Sequence, residues 1–118
     1  MAEVVALIDD LFFQSKLLET AKQVGVGVRA CATPEALGAE IAKAPPRLVV
    51  VDLNASSNPL RAFERLKAEA GVIPSIGFLS HVQVDLAERA RAAGCGEVMP
   101  RSKFTQNLAT ILARAKSD

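Results

Sequence analysis

Three aspartates in this chain have the type and spacing to act together. Asp9 and Asp10 follow the apolar run Val4-Val5-Ala6-Leu7-Ile8, and Asp52 closes the run Leu48-Val49-Val50-Val51 within "RLVVVDLNASS". An ionised carboxylate at the end of a buried strand is costly unless it is paired, hydrogen-bonded or metal-bound. Gathered at one edge, the three repel one another, so either one holds a proton or a cation neutralises them. Hard oxygen donors suit Mg²⁺, which is typically held by one or two carboxylates and keeps several waters. A carboxylate can also act as a nucleophile and take a phosphoryl group as an acyl phosphate. The parts are those of Mg²⁺-assisted phosphoryl transfer onto an aspartate. Acids at strand ends also simply face water or cap helices, and these residues alone leave that reading open.

Whether the acids meet depends on the elements that carry them. Short apolar runs alternate with helical patterns five times: Val4 to Ile8, Val28 to Ala32, Leu48 to Val51, Ser75 to Leu79 and Glu97 to Met99 read as strands. Between them run stripes of period near 3.6: Phe13, Leu17, Ala21 and Val24; Leu60, Phe63 and Leu66; and Phe104, Leu108, Ile111, Leu112 and Ala115. Thr33-Pro34-Glu35 and Asn58-Pro59 each place a capping residue before a proline at the first helical position. Gly25, Gly71 and Gly94 fall where helices stop. Strict β-α alternation predicts an α/β fold with an open, doubly wound parallel sheet, whose sites form at the carboxyl ends of its strands. Asp9, Asp10 and Asp52 all stand at such ends.

The composition narrows the function classes. A chain of 118 residues suits one domain spanning 1–118. Trp and Tyr are absent and the formal charge is +1, so neither base-stacking aromatics nor a basic face points to nucleic acid. No apolar run approaches the roughly 20 residues of a membrane span. The start Met-Ala-Glu-Val-Val is no signal peptide. Cys31 and Cys95 lack metal-ligand spacing and read as reduced, packed thiols, so a cytoplasmic protein is expected. A flavin binder needs small hydroxyl and glycine residues after the first strand to cradle phosphate, whereas "DDLFFQ" is acidic and bulky.

At this point the whole chain resembles a response-regulator receiver domain, the module of two-component signalling. "ALIDD" resembles the family's acidic pair, "LVVVDLN" its phosphoacceptor strand, and "RAAGCGEVMPR" the stretch leading into the fifth strand. The resemblance implies a flavodoxin-like (βα)5 fold with a five-stranded sheet of order 2-1-3-4-5, and a signalling module rather than an enzyme. Asp52 would accept the phosphoryl group and, with Asp10, ligate Mg²⁺. Asp9 would act mostly through water, and the backbone carbonyl of Asn54 would complete the protein ligands.

Two positions depart from the pattern. The family's hydroxyl residue after the fourth strand aligns with Leu79 and its lysine after the fifth with Arg101. Ser80 is the neighbouring hydroxyl, but a one-residue shift turns a strand side chain to the other face unless the backbone bulges. Ser80 with Gln83 also fits an S-x-x-Q capping box, and both roles stay open. Arg101 keeps the positive charge as a planar fork, and Lys103 competes for the same contact. His81, the single histidine, reads as an exposed first-turn residue near the site; Phe13 is expected in the core and Phe12 partly outside. The position of a signalling aromatic on the fifth strand holds Val98.

Two functions follow from the resemblance. One is a stand-alone receiver phosphorylated by a histidine kinase or phosphotransfer protein. The other is a degenerate receiver that binds partners independently of phosphate. In both, the chain ends after its fifth helix, so the signal is expected to leave through the helix 4–strand 5–helix 5 face to a downstream protein or a homodimer.

Overall fold

The computed structural model describes residues 3–70, 73–80 and 83–116. The apolar runs become strands because their side chains fill both faces of a covered sheet. β1 (Val4–Leu7), β3 (Leu48–Asp52) and β4 (Ser75–Leu79) are buried at every position. β2 (Val28–Cys31) and β5 (Glu97–Pro100) are partly exposed and form the two edges. All neighbours pair in parallel, in the order β2-β1-β3-β4-β5, which is the flavodoxin-like arrangement.

Alternation along each strand feeds two cores. Val4, Ala6, Val50, Ile76 and Phe78 face one side, under α1 (Leu11–Val24), α5 (Arg101–Gln106) and α6 (Leu108–Ala113). Val5, Leu7, Val49, Val51 and Leu79 face the other, under α2 (Pro34–Lys43), α3 (Arg61–Ala70) and α4 (Val84–Ala93). Thr33 caps α2 through its hydroxyl, with Pro34 at the first position, and Gly25 and Gly94 end α1 and α4 in the left-handed conformation. Those expectations hold; Gly71 lies outside the described residues.

Three local readings are corrected. Asn58 does not cap α3 with its side chain. It sits at φ 57°, and its carbonyl accepts from the N–H of Arg61, so a tight turn leads into the helix. The last stripe is buried as read, but on two short helices. Asn107, between them at φ −107° and ψ 15°, sends both its side-chain amide and its backbone N–H to the carbonyl of Lys103, a local bond that competes with helix continuation. β3 also runs one residue further than read, taking Asp52 into the sheet opposite Phe78.

Gly77 sits in β4 with no room for a side chain. A Cβ there would lie 2.9 Å from Leu53 Cδ1 and 3.1 Å from Cys95 Sγ. Gly77→Ala is therefore expected to cost about 2 kcal/mol by overpacking, read as a lower urea midpoint with an unchanged m-value.

Candidate functional site

The pairing of β1 with β3 sets Leu7 beside Val51, so the residues after both strands emerge at the same sheet edge. Asp52 is only 2% exposed. Its Oδ1 accepts the backbone N–H of Asn54 at 2.9 Å, and its Oδ2 accepts from Arg101 Nη2 at 3.3 Å. Arg101 opens α5 directly after β5, and its Nη1 lies 3.5 Å from Asp10 Oδ2. One guanidinium thus bridges two carboxylates. It also rests on rings, with Cζ 4.9 Å from the centroid of Phe13 and 5.4 Å from that of Phe78, a favourable placement for a cation.

Asp10 has a second duty. Its Oδ1 accepts the N–H groups of Phe12 and Phe13 at 3.0 and 3.3 Å and caps α1. Asp9 turns to the loop after β3, where its Oδ2 accepts the N–H and the hydroxyl of Ser56 at 2.9 and 2.7 Å. These bonds hold the Asp9 carboxyl below its ordinary range. Burial pushes that of Asp52 up, opposed by the Asn54 N–H and Arg101 and reinforced by Asp9 and Asp10.

The sign of that shift makes a prediction. A carboxyl raised in the folded state binds its proton more readily there than in the unfolded chain, so stability falls as pH rises through its window. Asp52→Asn is expected to raise the unfolding midpoint by a few degrees at neutral pH. The gain should fade as pH drops through the raised Asp52 range, in melts across pH.

Leu79 is buried in the α2-α3-α4 core and Ser80 is exposed. The capping-box reading of Ser80 is half right. Gln83 Oε1 reaches back to the Ser80 N–H at 3.1 Å, but α4 begins at Val84 and Gln83 shows no side-chain cap of its own. The Ser80 hydroxyl lies 3.4 Å from Asn54 Oδ1, and Asn54 Nδ2 donates to Gln83 Oε1 at 2.7 Å. Lys103 stands away from the acids, lining a groove beside β5 with Arg91 and Arg114. Phe13 is buried, as read, and Phe12 is 91% exposed, further out than read. His81 lies outside the described residues.

Among the described residues, no three Asp, Glu, His or Cys side chains converge to hold an ion. Mg²⁺ does not require three: two carboxylates with water suffice. Asp10 Oδ2 and Asp52 Oδ2 both face one cationic position, filled by the guanidinium. The donor chemistry fits, in competition with Arg101. The parts that sequence reasoning missed are the ring platform, the Ser56 tie and the Asn54–Gln83 pair; each joins segments distant along the chain, and only Gln83 carried a signal, through the capping box.

Solved structures share this architecture over nearly the whole chain. The receiver domain of NtrX from Brucella abortus superposes with a TM-score of 0.79 at 17% identity, over 95% of this chain and 96% of that one. A response-regulator receiver domain protein from Clostridium thermocellum gives 0.81 at 14%, over 98% and 94%. The fold is that of a response-regulator receiver domain. The beryllofluoride-activated NtrC4 receiver domain dimer matches at 0.77 and 16%, over 98% of this chain and all (100%) of that one. Against the longer NtrX chain, the receiver fold covers 98% of this chain and 27% of that one. No protein-family model matches the sequence, and no curated protein matches it either. No helix among the described residues is long and apolar enough to cross a membrane.

Proposed function

We propose that this chain is a receiver module of two-component signalling in which Asp52 accepts a phosphoryl group from a histidine kinase or phosphotransfer protein. The observation that supports this most is the bridge: Asp52 and Asp10 face one cation at the carboxyl edge of the sheet. Asp52 Oδ1 is pinned by backbone, whereas Oδ2 is held only by the part-exposed Arg101 side chain. The Asp52 carboxylate is the nucleophile. It forms the O–P bond as the P–N bond to the donor imidazole breaks, and the imidazole keeps the electron pair and takes up a proton. Arg101 then turns its planar fork from carboxylate to phosphoryl oxygens, and the Ser80 hydroxyl on the loop after β4 is a further donor for them. Asp10 and Asp52 would hold Mg²⁺, with Asp9 through water and the Asn54 carbonyl. Bound there, the ion would neutralise charge on the transferring group.

Output runs through the α4-β5-α5 face. Val98, smaller than an aromatic, leaves a groove of about 210 Å³ between α4 and β5, lined by Leu79, Val84, Ala87, Met99 and Pro100. A downstream protein fits there, or a second copy, as the activated NtrC4 receiver forms a dimer.

One observation favours a second reading. Leu79 fills the core at the place where a hydroxyl would meet the phosphoryl group, which suits an interaction module that works without phosphate. Acetyl phosphate with millimolar Mg²⁺ separates the two. The first reading expects the wild type to gain the mass of one phosphoryl group and Asp52→Asn to gain none; a silent wild type leaves the second.

A further inference from the structure

Asp52 is buried and its carboxylate bonds to Asn54 and Arg101, neither of them on α4, so a change there needs an intermediary to reach that helix. Its first link is short. The Asn54 N–H donates to Asp52 Oδ1 at 2.9 Å, a side chain-to-backbone turn that ties the conformation of Asn54 to the state of the carboxylate. The Asn54 side chain is committed to the neighbouring loop. Its Oδ1 accepts the Ser80 N–H at 2.9 Å, and its Nδ2 donates to Gln83 Oε1 at 2.7 Å. Gln83 Oε1 also accepts the Ser80 N–H at 3.1 Å. Gln83 precedes α4, and its carbonyl accepts the helix bond from Ala87 at 3.0 Å. Gln83 and Ser80 also line the groove between α4 and β5.

Among the described residues, the other routes from the pocket lead elsewhere or are apolar. Arg101 joins Asp52 to α5, not to α4. Leu79 and Val98 pack against apolar neighbours and offer no polar side-chain group that could follow a change of charge. A chain of short hydrogen bonds between two loops is the kind of contiguous network through which coupling travels, provided that both ends respond to it.

We propose that the side-chain amides of Asn54 and Gln83 couple the state of Asp52 to the first turn of α4 and the groove beside it. The coupling rests on the reading of Asp52 as the signalling residue for its biological use. It is tested without any phosphoryl group. Asp52→Asn is the perturbation, and the readout is the shift it causes in the backbone amides of residues 84–90 by ¹H–¹⁵N NMR. In the wild type these amides should move. In Gln83→Leu, at a half-buried position, and in Asn54→Ala, at an exposed one, the same perturbation should move them by roughly half as much or less, while the amides of β1 and β3 move as before. Gln83→Glu keeps the acceptor oxygen and should retain the full response, which a merely structural role for the pair does not predict. Undiminished α4 shifts in both Gln83→Leu and Asn54→Ala, or α4 amides that ignore Asp52→Asn in the wild type, would overturn the proposal. Failure of acetyl phosphate to label the wild type bears on the function above and leaves this result standing.

Discussion

Phe78→Ala is expected to lower stability by about 4 kcal/mol, near the top of what a single core truncation costs. Phe78 is fully buried and stacks on Phe104 with ring centroids 4.6 Å apart and planes at 11°. Phe13 closes the group at 5.0 Å from Phe78 and 5.9 Å from Phe104. The chain has 5 phenylalanines and no other aromatic, so this trio is the main aromatic packing of the α1-α5-α6 side. Truncation leaves a cavity between elements that cannot collapse independently, because β4 is held on both sides, by β3 and β5. The same ring supports Arg101, so the loss reaches the site as well. Urea unfolding measures it: the midpoint should fall steeply for Phe78→Ala, and by about a third as much for Phe78→Leu, which keeps most of the volume.

Arg101→Ala should cost about 2–3 kcal/mol at neutral pH. Removing one partner of a buried ion pair costs 3–5 kcal/mol, and the figure is reduced here because the Arg101 side chain is 39% exposed and water screens it. What remains is the Asp52 carboxylate, buried beside Asp10 without its cation. The pH dependence carries a definite sign. Burial already raises the Asp52 carboxyl, and Arg101 opposes that rise; without Arg101 the carboxyl rises further. The deficit relative to wild type should then be largest at neutral pH and shrink as pH falls toward the ordinary carboxylate range, where Asp52 is protonated and the pair no longer exists. Asp52→Asn added to Arg101→Ala should recover most of the loss, and the double-mutant cycle gives the coupling directly.

The three inner strands were legible because burial on both faces demands nearly unbroken apolar runs, and the parallel pairing followed from the alternation of strands with helices. The acid edge was legible for the same reason: strand ends in such a sheet converge. Less legible were events decided by one side chain choosing among neighbours. Asp9 and Asp10 are adjacent, yet one bonds Ser56 and the other caps α1 and meets Arg101; nothing in "IDD" distinguishes them. Asn107 breaks the last helix through a local bond that an apolar stripe does not reveal. Asn54 and Gln83 lie 29 residues apart, and their contact exists only because β3 and β4 are neighbours. Choosing between Arg101 and Lys103 likewise required knowing that α5 starts at once after β5, which aims the first of them at Asp52.

The central claim is that Asp52 receives a phosphoryl group in a pocket shared with Asp10 and Arg101. Beryllofluoride mimics an aspartyl phosphate, and with no Trp or Tyr in the chain, amide NMR is the suitable probe. Titrated with beryllofluoride and Mg²⁺, the wild type should show shifts at the ends of β1 and β3, at Arg101 and along the start of α4, and Asp52→Asn should show none of them. A wild-type spectrum that stays unchanged at millimolar Mg²⁺, or an Asp52→Asn spectrum that changes in the same way, would contradict the account.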